Sequence, residues 1–341
     1  MKDIARRLGV STTAVSYVFN DKWRNYGMSR ETVDRIAAEL KKENYQPNIL
    51  GWQLKKQRTG TIGVILGDLT RTLSLNILAG IEAVLADADY LTLVCNSRLG
   101  ELESKHLATL GARRVEGIIL SPNGDSTNGS VLARLSREKM PVVLVDNYLS
   151  RLKTDFVVSD NFRGAYQATQ ALLKKGCRSI AYVGARKDLA VLRDRFEGYR
   201  RALRDHRRPF LEELVCKTMT RPEDAYTVMK QLFSGKAPDA LFVESLVYFR
   251  EGFRFLADRR LRIPEDVAIT GFDPIDLGLE TGKDGDRLRS LIKSPLPFVE
   301  QDGFGMGKSA AEILLKKISA KTRATKQIFI KPKLHHCSDA A

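Results

Sequence analysis

Cysteine and histidine are scarce, with four of each in 341 residues, and their placement excludes more than their number does. Cys95, Cys177, Cys216 and Cys337 lack the close paired spacing of a zinc site or a redox motif, so they read as buried or free thiols rather than disulfides. His335-His336-Cys337 is the one metal-like cluster, and a frayed tail is its expected state. Long apolar runs are missing too. No window holds the roughly 18 uninterrupted apolar residues of a spanning helix, so no membrane partner is expected. The start, Met1-Lys2-Asp3-Ile4-Ala5-Arg6-Arg7, has no apolar signal core, and the expected location is the cytoplasm. A P-loop, a Gly-x-Gly-x-x-Gly after the first strand, a Gly-x-Ser-x-Gly elbow and a metal-ligand set are all absent, which argues against an enzyme and against a cofactor. Gly303-Phe304-Gly305-Met306-Gly307-Lys308-Ser309 resembles a phosphate loop, but it lacks the Walker spacing and no strong strand leads into it. A glycine-rich helix start is the expectation there.

Basic charge is abundant. The formal net charge is +15, which favours a polyanionic partner. Residues 1–60 carry 12 Lys+Arg against 6 Asp+Glu, a higher charge per residue than in the rest of the chain. The same stretch reads as three short helices. Ile4, Ala5 and Leu8 share a helical face that stops at Gly9. Ser11 suits an N-cap for a second helix with Ala14, Val15 and Val18 inward, while Thr12, Thr13, Ser16 and Tyr17 point elsewhere. Asp21 to Met28 reads as a loop, and Ser29 caps a third helix with Val33, Ile36, Ala37 and Leu40 inward. Such a headpiece suits major-groove reading: Thr12, Thr13 and Tyr17 toward base edges or phosphates, Ser11 and Ser16 toward the backbone, and Arg6, Arg7, Lys22 and Arg24 toward phosphates. A plain three-helix bundle with a solvated polar face fits the same pattern.

The run from Asp3 to Asn20, DIARRLGVSTTAVSYVFN, closely resembles the helix-turn-helix signature of the LacI/GalR repressor family. Asn44-Tyr45-Gln46-Pro47-Asn48 resembles that family's lead-in to a hinge helix that folds on operator DNA, and Leu54 falls at the position of its minor-groove wedge. The resemblance implies DNA contacts from Ser11, Thr12, Thr13, Ser16, Tyr17, Asn20, Asn48 and Leu54. It also implies a homodimer on palindromic double-stranded DNA, since a wedge works best as a symmetric pair. Gly51 replaces the usual alanine of the hinge, lowering helix propensity by about 1 kcal/mol, and Trp52 is bulkier than the usual residue.

From residue 61 onward, β-branched runs alternate with amphipathic stretches such as Leu75 to Ala88. The runs are Thr61–Leu66, Tyr90–Val94, Gly117–Leu120 and Val142–Val145, then Ile180–Val183, Ala240–Val243 and Val267–Thr270. This is the pattern of parallel sheets covered on both faces, and two series make two lobes. The expected architecture is an all-α helix-turn-helix headpiece (1–46), a hinge (47–60) and a two-lobed α/β, periplasmic-binding-protein-like body (61–341). Ligands of such folds sit beyond the carboxyl ends of the strands, where Asp68, Ser121, Asp146, Gly184 and Asp273 stand. Lys326 to Ile330 reads as a last strand followed by a short tail.

The resemblance continues through Val158-Ser159-Asp160-Asn161, Arg195-Phe196-Glu197-Gly198-Tyr199 and Ile263 to Asp273. It implies that Arg195 and Asp273 bind an effector, a sugar or sugar phosphate, with Asp146 and Asp160 in the charged network around the cleft. A guanidinium fork and a carboxylate suit the oxygens of a polyol. Around this core the chain departs from its relatives: Asp68 to Ser74 lacks the common Asn-Pro-Phe, Glu244-Ser245-Leu246 replaces Asn-Asp, and Ser294 stands where glutamine is common. Several features look more like the fructose and sucrose repressor subgroup, in which case Arg71 would pair with a phosphate, although an exposed rim arginine fits as well. The expected function is a sequence-specific regulator of carbohydrate genes, of the repressor type; a solute-binding protein and a sugar-metabolising enzyme are the alternatives.

Overall fold

The computed structural model describes residues 1–45, 58–98, 100–124, 132, 134–135, 137–185, 189–219, 224–246, 249–274, 296–319 and 324–335. The expected contacts at Asn48 and Leu54, the hinge departures at Gly51 and Trp52, and Ser294 and Cys337 lie outside these residues. The chain divides into two compact units, Met1–Thr59 and Gly60–Ala341.

The first unit holds α1 (Lys2–Leu8), α2 (Thr12–Phe19) and α3 (Arg30–Lys42). Gly9 ends α1 in the left-handed region, φ 66°, a conformation that glycine reaches without a Cβ penalty. Ser11 and Ser29 cap α2 and α3, their hydroxyls accepting from the Ala14 and Thr32 amides at 3.0 and 3.3 Å. Ile4, Ala5, Val15, Ile36 and Leu40 form the core, with Leu8, Val10, Ala14, Val18, Met28 and Tyr45 packed around it. Ala37, expected inward, is exposed. Val33, Ile36 and Leu40 already fill the narrow stripe that two short helices can cover, and position 37 lies beside it. The expected loop contains a 3₁₀ turn, Trp23–Tyr26.

The second unit is two six-stranded sheets. The first has the order β11-β5-β4-β3-β1-β2 and the second β12-β10-β9-β8-β6-β7. The strands are β1 (Thr61–Leu66), β2 (Leu91–Asn96), β3 (Gly117–Leu120), β4 (Val142–Val145), β5 (Asp155–Ser159), β6 (Ile180–Ala185), β7 (Val215–Met219), β8 (Ala240–Val243), β9 (Ala268–Phe272), β10 (Phe298–Glu300), β11 (Gln327–Ile330) and β12 (Lys333–His335). Pairing is parallel throughout except between β10 and β12. The helices are α4 (Thr72–Leu85), α5 (Glu103–Ala112), α6 (Asn161–Lys174), α7 (Ala190–Asp205), α8 (Asp224–Leu232), α9 (Arg250–Asp258) and α10 (Gly303–Ile318). Each sheet is sandwiched. Ile62, Val64 and Leu66 of β1 enter one core while Ile65 enters the opposite one, and β6 splits Ala181 and Val183 from Ile180 and Tyr182 in the same way. Burial on both faces is why these strands read as unbroken apolar runs.

Two expectations are corrected. The C-terminal stretch is no simple tail after β11: the chain turns through Lys331 and Pro332 into β12, which pairs antiparallel with β10, and His335 Nε2 lies 2.6 Å from Glu300 Oε2. A short strand, β10, does lead into the glycine-rich segment, which opens α10 with Asp302 as its cap. The chain passes between lobes from β5 to α6, from β10 to α10 and from β11 to β12. Among the described residues no group of His, Cys, Asp and Glu is arranged to hold a metal ion, and no helix is long and apolar enough to cross a membrane.

Candidate functional site

Two regions gather the expected residues. In the first unit, α2 is fixed by fully buried Val15, which sets Thr12 and Thr13 in the exposed first turn and leaves Ser16 and Tyr17 half-buried. Ser11 is spent on the cap. Asn20 closes the helix at its other end, its side-chain amide donating to the Ser16 carbonyl at 2.7 Å. Tyr17 stacks on Tyr26 with ring centroids 3.7 Å apart and planes 7° from parallel, so the loop residue Tyr26 orients a side chain expected to read DNA. Lys22 and Arg24 are exposed, Arg24 lying over the Trp23 ring at 5.4 Å.

Arg7, expected on a phosphate, is engaged within the headpiece. Its Nη1 donates to Glu43 at 2.7 Å and lies 3.0 Å from Glu39, tying the end of α1 to the end of α3. Hydrogen bonding to Arg7 holds the Glu43 carboxyl below its ordinary range. Arg6 stays exposed.

In the second unit the expected effector residues meet where the two sheets face each other. Asp146 follows β4 and Asp273 follows β9, both left-handed at φ 67° and 64°, so equivalent turns of the two lobes each present a carboxylate. Asp273 Oδ2 accepts from Arg71 Nη2 at 2.9 Å, an ion pair between lobes. Its Oδ1 accepts from Gln301 Nε2 at 2.8 Å. Arg71 is therefore no exposed rim residue. Arg195 is buried, 5% exposed: its Nε donates to Asn161 Oδ1 at 2.7 Å, its Nη1 donates to the Glu244 carbonyl at 2.6 Å, and its guanidinium lies 3.7 Å over the Phe272 ring. Among the described residues the Asp146 carboxylate receives only a long contact from Ser121 Oγ, 3.4 Å. Burial pushes its carboxyl up, opposed by the charges of Arg71 and Arg195 and reinforced by Asp273.

Glu244 is the residue whose role the sequence left open. Its side chain accepts from the Tyr182 hydroxyl and, at 2.8 Å, from the Ala185 amide. Gly184 leaves it room, since a Cβ there would sit 2.4 Å from the carboxylate. Burial pushes both the Glu244 carboxyl and the Tyr182 phenol upward.

Three expected positions are occupied locally. Asp160 caps α6, accepting from the Arg163 amide at 2.9 Å. Asp68 closes its own turn with Thr70 at 2.7 and 2.9 Å. Gly184 serves Glu244. The residue missed outright is Gln301. Ser294 stands where the resemblance has glutamine, and the glutamine bonded to Asp273 comes instead from the crossing after β10. Its signal was the polar pair Gln301-Asp302 between an apolar run and a glycine-rich helix, the counterpart of Ser159-Asp160 before α6.

Residues 1–48 match the family described as bacterial regulatory proteins, lacI family, and residues 59–337 match the periplasmic binding proteins and sugar binding domain of the LacI family. The chain belongs to the LacI family. It is a DNA-binding transcriptional regulator by that membership, not an enzyme. Among LacI-family relatives, the HTH-type transcriptional repressor PurR of Histophilus somni (strain 2336) is 27% identical over 338 residues, covering 98% of this chain and 96% of its own. The HTH-type transcriptional regulator RegA of Clostridium saccharobutylicum is 28% identical, covering 94% and 93%. The lac repressor dimer solved on operator with the anti-inducer ONPF shares the fold at a TM-score of 0.80 and 20% identity, over 98% of this chain and 96% of that one. A LacI family regulator from Enterococcus faecium, solved with bound ribose, has a TM-score of 0.68 and 26% identity, over 81% and 97%.

Proposed function

We propose that this chain is a cytoplasmic repressor that binds a palindromic operator as a homodimer and answers to a sugar or sugar phosphate held between the lobes of its body. The observation that carries the reading is the pair of exposed hydroxyls, Thr12 and Thr13, in the first turn of a helix pinned by Val15. The N-terminal residues of a recognition helix are those that reach base edges. Thr12, Thr13 and Tyr17 read the major groove, Ser11 and Ser16 meet the backbone, Asn20 closes the helix, and Asn48 and Leu54 belong to a hinge spanning 47–60. The headpiece then ends at 46 and the effector-binding and dimerisation body runs from 61 to 341.

For the effector, Asp273, Arg195 and Asp146 are the binding groups, joined by Arg71 and Gln301, with Asp160 holding α6 in place beside them. Support comes from the convergence of these side chains at the strand ends of both lobes and from the ribose held by the Enterococcus faecium relative. Selection of genomic fragments on the purified protein, followed by fluorescence anisotropy, tests the reading. The expected result is saturable binding to a palindrome, with Thr12→Ala and Thr13→Ala each losing about 1–3 kcal/mol of discrimination at unchanged melting temperature. Enrichment of no common sequence would refute it.

A further inference from the structure

The cleft carries an ion pair that belongs to neither lobe alone. Arg71 precedes α4 in the first lobe and Asp273 ends β9 in the second, and their 2.9 Å contact occupies the carboxylate to which the effector reading assigns ligand hydroxyls. The side chains are 18% and 8% exposed, so solvent screens the pair only in part.

Among the described residues, the carboxylates of Asp146, Asp273 and Glu244 face the guanidiniums of Arg71 and Arg195. Arg195 is committed to Asn161, the Glu244 carbonyl and the Phe272 face, and Arg71 to Asp273. Gln301 turns its amide nitrogen to Asp273, and its buried Oε1 has no hydrogen-bond partner among the described residues. A buried acceptor without a donor costs free energy until something supplies one. That acceptor belongs to the residue bonded to Asp273, so a ligand hydroxyl arriving at the carboxylate meets a second acceptor beside it.

Resting on the carbohydrate reading above, we propose that Arg71 is a built-in latch on the effector site: it closes the lobes by holding Asp273, and an incoming polyhydroxy ligand displaces it from that carboxylate. Arg71 is a positioning residue in this scheme, where a ligand-binding role would make it a main contact of the effector.

The experiment has two arms on the full-length protein. The first measures the distance between spin labels on α5 of one lobe and α8 of the other, without ligand. Wild type and Arg71→Lys give the short closed distance, and Arg71→Ala a longer one. The second titrates glucose, fructose, ribose and sucrose against glucose 6-phosphate, fructose 1-phosphate, ribose 5-phosphate and sucrose 6-phosphate by calorimetry. The expected pattern is binding of one or more of these compounds, about tenfold tighter in Arg71→Ala because no pair has to be broken. An unchanged label distance in Arg71→Ala overturns the latch, and so does a compound whose affinity is lost in Arg71→Ala, which makes Arg71 a ligand contact. If no compound of either series binds while operator binding is intact, the carbohydrate reading fails, and the label distances still decide the latch.

Discussion

Asp146 shows what a single carboxylate costs when a fold places it for function. The residue sits at φ 67°, a region that Asn and Asp tolerate best among residues with a Cβ, and among the described residues its carboxylate has one hydrogen bond, the long contact with Ser121. Burial raises its pKa above the ordinary 3.8, so between that value and the raised one the folded state holds a proton that the unfolded chain has released. Stability therefore falls as pH rises through that window, and above it the full penalty of burying the charge remains. Asp146→Asn keeps the backbone and removes the charge. It should melt higher than wild type at neutral pH, and the gap should narrow as the pH is lowered into the carboxylate range; a gap that widens on acidification would show Asp146 to be stabilised by its partners instead. Such residues are half legible in a sequence. Position after an apolar run located Asp146 and Asp273, but nothing in the sequence told that Asp68 closes its own turn or that Arg7 faces Glu43 across the headpiece. Thr70 lies only two residues from Asp68, in a turn that the pattern allows without singling it out, whereas the Arg7–Glu43 pairing across 36 residues leaves no local signal.

At the level of elements, the helices nearest the cleft approach their neighbours through glycine. A Cβ on Gly80 of α4 would lie 2.1 Å from the Phe304 carbonyl oxygen of α10, and one on Gly307 would lie 2.0 Å from that of Ile77. The second lobe repeats the device, with Gly198 of α7 at 2.3 Å from the Phe162 carbonyl oxygen of α6. Both α6 and α10 begin at a crossing and both are capped by an aspartate, Asp160 and Asp302, so close helix packing anchors the crossings. Gly80→Ala and Gly198→Ala should each destabilise the body by about 1–3 kcal/mol through overpacking. Gly111 of α5 provides the contrast, because a Cβ there meets only a Leu135 side-chain carbon at 3.6 Å. Gly111→Ala should gain up to about 1 kcal/mol from helix propensity, and denaturant unfolding of the three variants separates the two effects. The elements themselves were readable where an unbroken apolar run marked them, whatever their burial: half-exposed β2 was legible and fully buried β5 was not. Strands β1, β3, β4, β6, β8 and β9 are buried runs that announce themselves, and α4 begins one turn before its apolar periodicity suggested. By contrast β5, β7, β10 and β12 escaped the apolar pattern, being three to five residues long with polar residues among them. They are set by their neighbours in the sheets rather than by their own composition.

On the scale of the whole molecule, the net charge of +15 and the headpiece geometry make a quantitative statement about DNA binding. Each phosphate neutralised releases counterions, and the logarithm of affinity falls with the logarithm of salt at about −0.9 per contact. Arg6, Lys22 and Arg24 are exposed on the headpiece, and a dimer presents two sets, so a slope of about −5 is expected from these cations. Arg7 is excluded from the sum because Glu43 and Glu39 hold it. Arg24→Ala removes one cation from each headpiece and should lower the slope by about 2. Arg7→Ala should leave the slope in place while lowering the headpiece's melting temperature, since it cuts the tie between the first helix and the third. Operator titrations between 50 and 200 mM salt measure both. Equal loss of slope in the two variants would mean that Arg7 abandons its carboxylates for phosphate on binding, and the headpiece would then pay for DNA affinity with its own cohesion.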